Sequence, residues 1–115
     1  MKLPNYERAL ISQAKIKGYL LSVTHRDGRS KAKFFTQLGF SIDAWQELTA
    51  ALMHHAADHE VGKIEDSPFG TRYIVEGLLH GPNARTAVIR SVWFIEIGED
   101  VPQFVTAYPL QRRVR

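Results

Sequence analysis

The run His25-Arg26-Asp27-Gly28-Arg29-Ser30-Lys31-Ala32 gathers an imidazole, a hydroxyl and several cations into a turn that feeds a helix. Backbone N–H groups at a helix start already favour an anion, and Arg29 and Lys31 would add direct charge beside them. A phosphate suits such a place. The bland alternative is that His25 satisfies backbone groups of its own turn while the cations are solvated. Both readings stand on the sequence alone.

Arg90 interrupts an apolar strand pattern, where a cation without a partner would be costly. It pairs internally, with Glu76 or Asp66 as candidates, or it serves an open anion site. Arg72 and Tyr73 alternate in direction, so only one of them can share the surface of Arg90. Thr106 and Tyr108 fall on one face of the last strand, where a hydroxyl orients a substrate or caps the sheet.

His55 and His59 stand at i and i+4, a spacing that zinc sites use. The glutamate of a zincin motif is missing, because Ala56 follows His55. A helix C-terminus accounts for both histidines, and no metal is expected. His80, before Gly81 and Pro82, reads as a turn residue. A Gly-rich phosphate loop and a G-x-S-x-G elbow are both absent, which removes P-loop nucleotide hydrolases and α/β-hydrolases.

These residues must be carried by a chain of 115 residues, the size of one domain with one core. Hydrophobic residues make up 44% and charged residues 23%, an ordinary globular balance. Cysteine is absent, so disulfides, thiolate metal sites and cysteine nucleophiles are excluded. No apolar run is long enough for a membrane helix and the start lacks a secretory signal pattern, so a cytoplasmic protein without membrane association is expected. The net charge of +3 is mild, but the basic cluster from Arg26 to Lys33 makes the positive field local.

Apolar spacing and capping residues predict three helical segments. Ser12 caps a short one through about Leu21, with Ile16, Tyr19 and Leu20 as its apolar stripe. Ser30 caps a second, ended by Gly39. Asp43 and Gln46 resemble a capping box for a third, in which Trp45, Leu48, Leu52 and Ala56 face the core to about His59. Residues 62–70 read as a loop with a short edge strand at 63–65. Three strands follow at 71–79, 85–97 and 103–108. The longest has one face of Ala87, Ile89, Ser91, Trp93, Ile95 and Ile97 and another of Val88, Arg90, Val92 and Phe94. Two apolar faces imply a central strand. The expected fold is α+β: two or three N-terminal helices packed on an antiparallel three- or four-stranded meander. Residues 1–110 form one domain and 111–115 a basic mobile tail.

The motif H-x-x-G-R-x-K-A, then F-F-x-x-L-G, G-x-R-Y-x-V from Gly70, R-S-V-W from Arg90 and V-T-A-Y-P-L from Val105 resemble an uncharacterised bacterial domain family. The resemblance runs from Leu3 to Leu110. That family's members stand free or end longer toxin-like proteins, which implies a bacterial or phage context without assigning an activity. The element order also resembles metal-independent ribonuclease toxins, whose open sheet face carries scattered polar residues. That resemblance implies cleavage through the ribose 2′-hydroxyl, which needs a base, an acid and cations on the phosphate, and no cofactor. The candidates are then His25, Lys31 and Arg90 for catalysis and Arg29, Lys31 and Arg72 for phosphate, supported by Tyr73, Ser91, Thr106 and Tyr108. The expected partners are RNA and a cognate immunity or antitoxin protein. A non-catalytic module that binds nucleic acid or protein through the same turn is the alternative.

Overall fold

In the computed structural model, which describes residues 1–26 and 28–110, the helices precede a four-stranded antiparallel sheet of order β1-β2-β3-β4. The fold is α+β. The basic tail at 111–115 and Asp27 lie outside the described residues.

Helix α1, Gln13–Lys15, starts where Ser12 Oγ accepts the Lys15 N–H at 3.2 Å. It continues as a π-helical turn, Ile16–Leu20, in which Leu21 N–H reaches back to the Ile16 carbonyl at 2.9 Å. Gly18 lies in this turn, where a residue of low helix propensity weakens a regular helix. Helix α2, Arg29–Gln37, has Gly28 rather than Ser30 at its cap, and among the described residues no side chain fills that role. Its end is as expected, with Gly39 at φ +105°, a left-handed position that favours glycine. Arg85 donates to the Gln37 carbonyl at 3.0 Å and so satisfies one of the last acceptors of α2.

Helix α3, Trp45–Asp58, is entered through a 3₁₀ turn, Ile42–Ala44, capped by Ser41. Ser41 Oγ accepts the Ala44 N–H at 3.3 Å, so the cap stands two residues before the predicted Asp43. Strand β1, Val61–Ser67, is a full strand where the sequence suggested a loop with a fragment of one. Its residues are mostly exposed, which hides the alternation that marks a half-buried strand. Strands β2, Gly70–His80, β3, Thr86–Glu96, and β4, Gln103–Pro109, match the predicted meander within one residue at each end.

The two faces of β3 divide as its alternation requires. Ile89, Ser91 and Trp93 point into the core under the helices, joined by Val75 and Leu79 of β2 and by Phe104 and Ala107 of β4. Trp93 is fully buried and meets Phe104 edge to face at 5.3 Å. Leu48, Leu52 and Ala56 supply the facing stripe of α3. Among the described residues no helix lies on the opposite face: Arg72, Ile74 and Glu76 of β2 pair with Phe94, Val92 and Arg90 of β3, and Arg90 pairs onward with Tyr108.

Candidate functional site

Tyr19 sits at the centre of a cluster that the sequence had treated as an apolar stripe. The π-helical turn sets its half-buried ring against β4, where its hydroxyl shares a 3.0 Å hydrogen bond with Thr106 Oγ1. His25 meets the same ring edge to face at 5.0 Å. Lys15 and Lys31 each place their Nζ 5.4 Å from the ring centroid, as cation–π partners from α1 and α2. One aromatic ring therefore organises two cations, an imidazole and a hydroxyl from four segments. Beside them lies an open cleft of about 550 Å³ lined by residues that include Lys15, Tyr19, His25 and Thr106.

Local geometry decides what His25 can do. Gly28 N–H lies 3.1 Å from His25 Nδ1 and 3.2 Å from the His25 carbonyl, and Arg29 N–H bonds that carbonyl at 3.1 Å. An N–H donor on Nδ1 leaves the proton of the neutral ring on Nε2. His25 is thus a hydrogen-bond donor at Nε2 in this arrangement, and it also organises its own turn as the bland reading held. Work as base or acid requires that Nδ1 bond to release.

Gly28 is what allows the turn to lie so close. A β-carbon there would stand 2.2 Å from the Tyr19 carbonyl oxygen, a backbone atom that cannot swing aside. Gly28→Ala should therefore push the start of α2 off the π-helical turn and cost about 1–3 kcal/mol. A urea midpoint unchanged by that substitution would contradict the close approach.

The other predicted residues divide between two places. Lys31 joins the Tyr19 cluster, while Arg29 is exposed on α2. Arg72 and Arg90 lie on the open sheet face, in a groove of about 400 Å³ with Lys63, Glu65, Glu76 and Tyr108. Arg90 is held there by Glu76, which accepts from Nε at 2.7 Å, and by Tyr108, whose hydroxyl lies 3.2 Å from Nη1. The internal pairing is with Glu76, one of the two partners the sequence allowed. Arg72 lies 3.9 Å from Glu65. Thr106 and Tyr108, two residues apart on β4, line the cleft and the groove respectively, so that strand links the two.

Ser91 and Tyr73 turn the other way. Ser91 is fully buried, and its hydroxyl accepts from Trp93 Nε1 and bonds His55 Nδ1, both at 2.9 Å. Tyr73 packs against the core. Period-two alternation puts both on the helix side, away from Arg90. His55, only 2% exposed, completes its bonding by donating from Nε2 to the Gly77 carbonyl at 3.1 Å. Burial is the main cause that lowers its pKa from 6.5 to about 4, so it is a neutral core residue. His59 Nδ1 bonds the His55 carbonyl at 2.9 Å. Among the described residues no group of three or more His, Cys, Asp or Glu is placed to hold a metal ion.

The sequence matches, over residues 2–111, the family described as a domain of unknown function, DUF6883. The chain belongs to that family. No curated protein matches it in sequence. In the solved structure of a contact-dependent growth inhibition toxin–immunity protein complex from Klebsiella pneumoniae 342, one chain superposes with a TM-score of 0.73 at 16% identity. The match covers 93% of this chain and 97% of that one. At such an identity the likeness establishes a shared fold. Among the described residues no helix is long and apolar enough to cross a membrane.

Proposed function

We propose that this DUF6883 domain acts on RNA as a metal-independent ribonuclease-like toxin or effector domain, controlled by a cognate immunity or antitoxin protein. The observation that carries the reading is the Tyr19 cluster, in which Lys15, Lys31, His25 and Thr106 converge on one ring beside an open cleft. The fold shared with a chain of a toxin–immunity complex supports it. A phosphodiester seated in the cleft would meet the Lys15 ammonium and the donors of His25 and Tyr19, with the Lys31 ammonium against the same ring. Those groups suit the extra negative charge that builds on phosphorus as the 2′-oxygen attacks and the 5′-oxygen leaves. The products would be a 2′,3′-cyclic phosphate and a 5′-hydroxyl end. The 2′-hydroxyl proton would pass to water in the open cleft, and the 5′-oxygen would regain one from solvent.

One observation favours a second reading, a module that binds RNA without cutting it. His25 stands as a donor, and among the described residues no carboxylate lines the cleft to serve as base. Incubating the purified chain with RNA in excess chelator separates the readings. Cleavage leaving cyclic phosphate ends supports the nuclease, intact RNA bound in a salt-dependent manner supports the module, and intact RNA without binding defeats both. In either of the first two cases Lys31→Ala should reduce the slope of log affinity against log salt by about one contact. An unchanged slope would remove Lys31 from the phosphate site.

A further inference from the structure

We infer that β1 is a self-pairing edge, through which a second copy of this chain joins the sheet antiparallel about a two-fold axis at Ile64. The two edges of the sheet are treated differently. The start of β4 is covered by the chain's own Leu10, whose N–H bonds the Pro102 carbonyl and whose carbonyl accepts the Phe104 N–H. Among the described residues β1 has β2 on one side and no strand on the other, and along that outer side only its first N–H, that of Val61, is taken, by the Met1 carbonyl. Such an edge presents an unfilled ladder.

The hydrogen-bond parity of β1 suits a partner centred at Ile64. Ser67 and Gly70 close the β1–β2 ladder around the two-residue turn at Pro68 and Phe69. Alternation from that pair directs the backbone groups of Glu65 and Lys63 toward β2 and those of Asp66 and Ile64 outward. Two copies related at Ile64 would thus exchange both N–H···O=C bonds at that residue.

Side chains agree with the backbone. In this register Lys63 of each copy stands opposite Glu65 of the other, on the open sheet face, so both cross-strand pairs are opposite in charge. Within one chain the same two residues already form a 3.1 Å ion pair, with Lys63 66% exposed and Glu65 41% exposed, so both are available at the surface. Ile64 lies on the other face and is 48% exposed, and its counterpart would cover it. A one-residue slip would set Ile64 against Lys63 or Glu65 and break both Lys63–Glu65 pairs, so the pattern specifies this register. The inference is independent of any action on RNA.

Sedimentation equilibrium over a wide concentration range tests it. A monomer–dimer equilibrium is expected, with Ile64→Lys abolishing dimerisation while circular dichroism and urea unfolding confirm an intact fold. Lys63→Glu should weaken the dimer by roughly tenfold, because two attractive pairs become repulsive. The double variant Lys63→Glu/Glu65→Lys should recover most of that loss, since the swap restores both pairs. A chain monomeric at every concentration, a dimer indifferent to Ile64→Lys, or a double variant no better than Lys63→Glu would each overturn the inference.

Discussion

If the cleft cuts RNA, His25→Ala is expected to lower the cleavage rate by about 10²–10³-fold, the usual loss when one donor to a developing oxyanion is removed. His25→Gln should recover part of it. A glutamine amide extends to about the position of Nε2 and carries N–H donors there, but it cannot exchange a proton as an imidazole does. Partial rescue would therefore identify the donor role that the Gly28 N–H···Nδ1 bond imposes on the ring. Failure of rescue, with a bell-shaped pH–rate profile lost in both variants, would show that the bond releases and that His25 moves a proton. Both variants need matched urea curves, because His25 also braces its turn.

Tyr19→Phe is the informative companion. It keeps the ring that Lys15 and Lys31 approach and removes only the hydroxyl bonded to Thr106. A small effect would assign Tyr19 to holding the two ammoniums.

The fold was legible wherever one physical rule acted alone. The alternation in β3 alone separates Arg90 from Trp93, and Glu76 was a foreseeable partner for Arg90 because β2 and β3 neighbour each other in sequence. Caps were less legible. Ser30 has the right chemistry for a helix start, but the demand for contact between Gly28 and the Tyr19 carbonyl moves that start upstream. Strand β1 was shortened in the reading because an exposed edge with Gly62, Lys63, Glu65 and Asp66 lacks the apolar alternation that sequence patterns register.

The candidate site was half visible. Composition pointed to His25 and Lys31, which do meet near Tyr19. Lys15 and Tyr19 were overlooked, although their i and i+4 spacing places a cation over a ring on any helix face. The apolar weight of tyrosine at a stripe position concealed that signal. Arg90 and Arg72 lie in the neighbouring groove, farther along the same face of β4, from Thr106 in the cleft to Tyr108 in the groove. Ser91 stood among the supporting candidates with Arg90, although the alternation of β3 already set the two on opposite faces.

His55 carries the other large expected effect. Its ring is locked in one tautomer: Trp93 Nε1–H donates to Ser91 Oγ, Ser91 donates to Nδ1, and Nε2–H donates to the Gly77 carbonyl. This chain of bonds ties α3 to β2 and β3 at the centre of the core. A proton on Nδ1 would set a donor against the Ser91 hydroxyl and place a charge in an apolar interior. Burial is the main reason that its pKa is lowered from 6.5 to about 4, with neighbouring His59 adding to the depression and Asp58 opposing it. Above pH 6.5 the ring is neutral in both folded and unfolded chains. Between 6.5 and 4 the unfolded chain binds a proton that the folded chain refuses, so stability falls as pH falls through that window. The loss from this one group approaches about 3 kcal/mol near pH 4 and then levels off as the folded ring also protonates. His55→Gln should be less stable than the native chain at pH 7, because the amide cannot reproduce both bonds in the same packing, yet it should lack this component of the acid slope. Urea unfolding of both proteins from pH 7.5 to 4 measures the difference, in which titration of the surface carboxylates largely cancels. Stability curves that stay parallel across that range would mean that His55 is protonated as readily in the fold as out of it, and the neutral bonding chain would have to be abandoned.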